Sequence, residues 1–487
     1  MEKGENMNFK LVFRVLGQLL LCEAALLLPS LGVSILYREG DAPAFFLTIV
    51  LTALCGGLLA ALLRPKNKDM SAKDGMAVAG LGWLVLSLFG CLPFLFSGAI
   101  PFFPDAFFET VSGFTTTGST ILSKIEGLPH GVLFWRCFTH WIGGMGVLVL
   151  TVAVLPRLSG RTAFIARAES PGPTFSKLMP RMSDSAKALY LLYILLTAAQ
   201  TVCLRLAGMD FFDALTHSFS TAGTGGFSNY AASVAAFQSP AIEWIIAVFM
   251  MLYGVNFACY FHLVRREWGV AVRSEELWTY LSITVLSSLA IAVSLLPQHP
   301  DFMEALRLSY FQTTSIMSTT GYCTADFNLW PHFARALLVL LMCVGGCAGS
   351  TAGGFKMSRL VLLAKTAYRE LRHSVQPRKV SVIRFESKVV QEPVVFQILV
   401  FLFLYVALVL LGALALSLEG IDFTSAFTAS LTCVSNVGPG LNAVGPVENF
   451  AFFSAPAKFF LSFLMLAGRL EILPILLLLC PSFWRKN

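Results

Sequence analysis

The sequence predicts an all-α protein built to lie in a lipid bilayer, with a unit that recurs four times along the chain. Three observations predict it. The composition is too apolar for water, apolar stretches near 20 residues long follow one another, and a Ser/Thr-rich segment closing on glycine returns at a near-constant interval.

The 487 residues are 56% hydrophobic and 13% charged, with mean hydropathy +0.72. Soluble chains carry about 25% charged residues, and half that supply cannot cover a water-facing surface. The net charge of +7 sits in short loops between apolar stretches. That placement marks membrane orientation and excludes a nucleic-acid surface. The eleven cysteines lie mostly inside apolar stretches, as Cys55, Cys91, Cys203 and Cys259 do, and the close pair Cys343 and Cys347 lacks partners at zinc spacing. They read as small buried hydrophobes.

A spanning helix needs about 20 apolar residues. Stretches at roughly 9–37, 43–63, 74–98, 130–156, 187–207, 240–264, 277–297, 333–364, 393–418 and 452–482 predict ten spans. The first is too long for a signal-peptide core and lacks a small-residue cleavage site, so it counts as a span. One set of loops holds Lys3, Lys10, Arg14, Arg64, Lys66, Lys68, Lys73, the basic residues of 157–187, Arg265, Arg266, Arg273, those of 356–388, Arg485 and Lys486. Together these are 27 of the 35 Lys and Arg. The opposite side has chiefly Arg38, Lys124, Arg136, Arg205 and Arg335. Both termini are therefore predicted cytoplasmic.

Four shorter stretches, at about 105–120, 213–228, 304–323 and 425–440, lie between spans on the outer side. Bare backbone in lipid is too costly, so such a stretch must be surrounded by protein or line a water-filled cavity. They align on one glycine each: Thr116-Thr117-Gly118, Thr224-Gly225-Gly226, Thr319-Thr320-Gly321 and Asn436-Val437-Gly438. The aligned glycines are 108, 95 and 117 residues apart. Asp105, Asp213 and Ser425 each stand thirteen residues before their glycine, and Glu304 seventeen before its own. Asp and Ser are good N-caps, so a short helix is expected to start at each. Its C-terminal end carries about half a negative charge, and four such ends aimed at one axis favour a cation. The glycine permits φ > 0, turning carbonyl oxygens to the axis, where rings of carbonyls replace the water shell of an alkali cation. One such segment alone reads as an external turn; four in phase read as a pore.

These residues carry a resemblance. Thr319-Thr320-Gly321-Tyr322-Cys323 resembles the TVGYG filter of potassium channels. The fourfold helix–pore-loop–helix pattern, Asn436-Val437-Gly438-Pro439-Gly440 and the run His140-Trp141-Ile142-Gly143-Gly144-Met145-Gly146 are similar to the Trk/Ktr/HKT potassium transporters. Two helices ahead of the first repeat make the bacterial TrkH/TrkG branch the most similar. The resemblance implies one chain with pseudo-fourfold symmetry around a single K⁺ pore, K⁺ held in a filter at Gly118, Gly226, Gly321 and Gly438, a homodimer, and a cytosolic nucleotide-binding subunit of the TrkA type. In plant relatives serine at the first glycine goes with Na⁺ transport, so Gly118 implies K⁺. The expected division is 1–70 for the two extra helices, 71–160 for repeat 1, 161–272 for a linker and repeat 2, 273–370 for repeat 3, and 371–487 for a linker and repeat 4.

Two features bear on gating. The eighth span is interrupted by Gly345-Gly346-Cys347-Ala348-Gly349-Ser350-Thr351-Ala352-Gly353-Gly354. Glycine costs nearly 1 kcal/mol in a helix interior, so either a flexible loop forms below the filter or small residues pack one helix closely on another. The family's gating loop is in this place. Arg469 lies near the middle of the last span, where a charge is costly. It either pairs with groups of another helix or faces the pore beneath the filter and repels cations, the reading the resemblance supports. Lys458 is expected to snorkel to the outer interface, and Glu23, Asn256 and His262 to make structural hydrogen bonds. The basic linkers 157–187 and 356–392 read as solvated faces near anionic lipid, with docking of a soluble regulator as a second hypothesis.

The expected function is K⁺ uptake across a bacterial cytoplasmic membrane through a gated pore. The alternatives are Na⁺ or Na⁺/K⁺ passage, H⁺ coupling, or a solute transporter, which would show two halves around a midplane site. No histidine pattern suggests an enzyme, and no organic cofactor is expected.

Overall fold

The structure is a computed structural model that describes residues 7–63, 65, 70–146, 182–379 and 381–484. The inner end of the fourth predicted span (147–156), the linker 157–181, and Lys3, Arg64, Lys66, Lys68, Arg485 and Lys486 lie outside the described residues.

The chain is almost wholly helical; within 381–392 one antiparallel pair joins Arg384–Phe385 to Lys388–Val389. Two leading helices, Phe9–Leu26 continuing as Leu28–Tyr37 and then Ala42–Leu62, pack against one another and against Ala72–Gly90. Gly17 and Gly56 face each other there, and a Cβ on either would overlap the other helix. Small residues of this kind are what close helix contact in lipid requires. None of the eleven cysteines is in a disulfide, and Cys480 is exposed.

From there one pattern recurs four times: a long apolar helix, a short helix, a loop, and a second helix. The long helices are Ala72–Gly90, Met182–Leu206, Glu275–Leu295 and Glu392–Leu416. The short ones are Phe103–Phe114, Phe211–Gly223, Phe302–Met317 and Phe423–Ser435. The second helices, His130–Gly144, Pro240–Tyr253, His332–Val344 and Ala455–Arg469, have 15, 14, 13 and 15 residues. At 1.5 Å per residue each covers about 20 Å, short of a hydrocarbon core of about 30 Å.

Ten unbroken spans are therefore not what forms. Six helices are long and apolar enough to cross a membrane, or seven with the bent pair, among the described residues. The span predicted at 240–264 turns by 90° at residues 254–256, where the Asn256 side chain caps Phe257–Val264 by accepting from the Ala258 amide. The span at 333–364 stops at Gly345 (φ 76°) and resumes as Met357–Val375. The span at 452–482 breaks at Glu471 and Ile472 (φ 57° and 66°) before Leu473–Leu479. Pro474 marks that last break, since it has no amide hydrogen for the Leu470 carbonyl and stands in the first turn of the helix that follows. The Ile472 and Glu471 amides fold back onto the Ala467 and Gly468 carbonyls, a Schellman closure.

Candidate ion-selectivity site

The four short helices start three residues earlier than the sequence pattern suggests, and three of them are capped by a side chain. Asp210, Asp301 and Asp422 are the N-caps of the second to fourth, accepting from the amides of Phe212, Met303 and Ser425 at 3.0, 3.1 and 3.1 Å. The first starts at Phe102 with no side-chain cap and a proline in its first turn. Asp105, Asp213, Glu304 and Ser425 are thus first-turn residues, where a carboxylate still faces the positive end of the helix. The third helix is longer by about one turn, which absorbs the seventeen-residue spacing.

Each short helix ends in the same way. Thr116, Thr224, Thr319 and Asn436 adopt φ of 55°, 55°, 57° and 54°. The amides of Thr117, Gly225, Thr320 and Val437, one residue further on, turn back to the carbonyls of Ser112, Ser220, Ser315 and Thr432 at 2.8–3.0 Å. This is the Schellman end, made with β-branched threonine at three positions where glycine is usual. A β-branched residue at positive φ is strained, and strain of that kind gathers at functional sites.

The next residue is the aligned glycine, with φ of 81°, 78°, 81° and 102° at Gly118, Gly226, Gly321 and Gly438. A Cβ on Gly118 would overlap the Gly225 carbonyl oxygen; one on Gly226 would overlap that of Thr320, and one on Gly321 that of Val437. One on Gly438 would stand 2.9 Å from the carbonyl oxygen of Thr117. Each strand thus lies against the next, and the fourth closes on the first. The four carbonyls in this ring belong to Thr117, Gly225, Thr320 and Val437. Among the described residues no hydrogen-bond donor reaches them, so their lone pairs remain for another partner. The ring thus brings together Thr117, Gly118, Gly225, Gly226, Thr320, Gly321, Val437 and Gly438, and Thr116, Thr224, Thr319 and Asn436, each one residue before, are fully buried.

Below this ring the interrupted span of the third repeat is a loop with fixed contacts. Gly345, Gly349 and Gly354 take φ of 76°, 72° and 78°, and Gly346 packs against Ala352 and the Gly254 carbonyl. One oxygen of Glu276 accepts from the amides of Ala348 and Ser358, holding both ends of the loop. The Gly353 amide donates to the Thr319 hydroxyl at 2.7 Å, joining the loop to the base of the third strand.

Arg469 is placed at the same level. It donates to the carbonyls of Thr351 at 3.0 Å, Gly143 at 2.5 Å and Gly144 at 2.8 Å, and reaches the Thr116 hydroxyl at 3.4 Å. The guanidinium therefore pairs with carbonyls of other segments, the first of the two sequence readings, and its Thr116 contact sets it against the base of the first strand. Glu471 pairs with Arg359, not with Arg469.

Three other expectations change. Lys458 does not snorkel; it is buried and bonded to Asp105 at 2.7 Å across the first and fourth repeats. Arg136 is no outer-loop charge, being 1% exposed and paired with Glu109 at 2.7 Å. Glu23 is buried with no hydrogen-bond partner for either oxygen among the described residues, whereas Asn256 caps a helix and His262 bonds Glu267. Glu109 was absent from the sequence-derived candidates; a carboxylate in an apolar helix was its only signal.

The chain can now be set beside known proteins. Residues 41–277 and 276–486 each match the family described as TrkH, cation transport protein. The Trk system potassium uptake protein TrkH of Salmonella typhimurium is 38% identical over 487 residues, covering 99% of this chain and 100% of that protein. The Trk system potassium uptake protein TrkG of Escherichia coli is 32% identical over 487 residues, covering 98% and 99%. The crystal structure of the potassium transporter TrkH from Vibrio parahaemolyticus matches with a TM-score of 0.88 at 36% identity, covering 98% of this chain and 100% of that one.

Proposed function

The chain belongs to the TrkH family of cation transport proteins, and on that premise we propose that it takes up potassium ions through one gated pore whose filter is the ring of four loops. The observation that carries this is the closed contact of each filter glycine with the carbonyl of the following strand. A ring of backbone carbonyls offers equivalent dipoles to a dehydrated K⁺, and no side chain has to titrate as the ion passes. The C-terminal ends of the four short helices add partial negative charge at the ring's base. Uptake is then driven by the membrane potential, about 2.3 kcal/mol per charge per 100 mV.

In this reading Thr116, Thr117, Gly118, Thr224, Gly225, Gly226, Thr319, Thr320, Gly321, Asn436, Val437 and Gly438 form the K⁺ filter. The loop bearing Gly345, Gly346, Gly349, Gly353 and Gly354 is the gate, and Arg469 beside it, beneath the filter, opposes cation passage while the gate is closed. The two leading helices followed by four repeats are the units of the chain. It lies in the bacterial inner membrane with both termini cytoplasmic, in contact with lipid, as a homodimer served by a cytosolic nucleotide-binding subunit of the TrkA type. These last expectations are supported by membership of the family and by the loop charges.

Cation flux in proteoliposomes tests the filter, comparing K⁺, Rb⁺, Na⁺ and Li⁺ for the wild type and Gly118→Ser. K⁺ and Rb⁺ flux well above Na⁺, with discrimination lost in the variant, is expected. Flux indifferent to Gly118 would remove the filter reading.

A further inference from the structure

A fully buried ion pair stands behind the filter. Glu109, on the first short helix, and Arg136, on His130–Gly144, are each 1% exposed, with Nε 2.7 Å from Oε1. Desolvating two charges costs several kcal/mol each, and such a pair seldom stabilises more than apolar residues of the same size would. Its partners point to a geometric task. Glu109 also accepts from the Ile121 amide at 3.0 Å and the Thr120 hydroxyl at 2.8 Å, so it holds the segment that leaves the first filter strand. Arg136 donates through Nη1 to the Ser228 carbonyl at 2.8 Å, two residues past Gly226. Its guanidinium carbon lies 3.6 Å from the centre of the Phe227 ring. His140 stacks on the same ring at 4.0 Å, and two groups so near one ring centre must occupy opposite faces. The Phe227 carbonyl in turn accepts from the Tyr322 hydroxyl at 3.1 Å, which ties in the third strand.

We propose that Glu109 and Arg136 are positioning residues for ion selectivity, acting as the spacer that sets the separation of the first and second filter strands. The proposal rests on reading the four loops as the filter. Neither side chain touches the ion. A carbonyl ring discriminates by its cavity or by the number and field of its dipoles, and moving one strand alters both. Arginine suits the place because its rigid fork serves a carboxylate, a carbonyl and an aromatic face at once. Lysine would keep the charge and one partner only.

The test is the K⁺/Na⁺ flux ratio in proteoliposomes for wild type, Arg136→Lys, Phe227→Leu and the filter control Gly118→Ser. Arg136→Lys and Phe227→Leu are expected to lower the ratio by about 2- to 30-fold, the range for residues that act on a site without touching its ligand. A merely structural role would reduce folded protein or total flux and leave the ratio alone. An unchanged ratio in both, with Gly118→Ser still collapsing it, overturns the proposal and leaves the filter reading standing. Should Arg136→Lys not fold, Phe227→Leu decides, because it leaves the ion pair whole. A wild type without selectivity, or a ratio indifferent to Gly118, overturns the filter reading and this proposal with it.

Discussion

At the level of Gly118, Gly226, Gly321 and Gly438 the four repeats share one backbone recipe, a left-handed residue at φ 54–57° and two residues later a glycine at φ 78–102°. Just below, they share only the fact that a helix stops. The first stops at Gly144, the second bends by 90° at residues 254–256, the third opens into the Gly345–Gly354 loop, and the fourth closes through Glu471 and Ile472. The upper level is uncharged backbone; the lower holds Arg469 and Lys356, the latter buried and donating to the Ala352 carbonyl. A ring that replaces a hydration shell needs equivalent ligands, and so equivalent strands. A gate needs one element with two arrangements, and four identical elements would have to move together.

That contrast can be broken or sharpened by substitution. The largest effect is expected at the upper level. Gly226→Ala or Gly321→Ala puts a Cβ onto the neighbouring strand's carbonyl at a φ that L-residues avoid. Reversal potentials in a planar bilayer should then show K⁺/Na⁺ discrimination falling towards unity; retained discrimination would mean that the ring does not select.

Next comes Arg469→Gln, which removes charge from the lower level alone. K⁺ flux through the isolated transporter should rise about tenfold for each 1.4 kcal/mol taken from the barrier, with the K⁺/Na⁺ ratio unmoved. A changed ratio would merge the two levels. Gly345→Ala should act more weakly and in the opposite direction, since its Cβ would overlap the Gly353 carbonyl within the loop. Tracer uptake several-fold slower at constant ratio is the outcome that keeps gate and filter separate. The smallest effect is expected for Ser119→Ala, which deletes one hydroxyl bond to the Gly438 carbonyl at 3.1 Å. The loss is about 1 kcal/mol, to be read as a small drop in melting temperature with selectivity nearly intact.

Much of this was legible from residues alone because it is local. Apolar length marks membrane helices, and glycine at a fixed interval marks backbone turned to φ > 0. Other parts were hidden. The exact place of the break at 470–472 is one of them: Pro474 signals that a helix cannot run on unchanged, but not that Glu471 and Ile472 are the residues that turn to φ > 0. The caps at Asp210, Asp301 and Asp422 sit three residues ahead of the repeated motif, because a first-turn carboxylate and an N-cap offer similar sequence signals.

By itself, then, the sequence indicated a chain that lies in lipid, a motif that returns four times, and four glycines at which the backbone turns to φ > 0. Those are consequences of composition and spacing, which no partner has to supply. Only the tertiary structure decided which charges face one another. Asp105 meets Lys458 across 353 residues, Arg469 meets the Gly143 and Gly144 carbonyls, and Arg136 meets Glu109 and Phe227. Charges buried away from water rest on protein partners, and for Lys458 and Arg469 those partners are reached because closing the ring brings the first repeat beside the fourth.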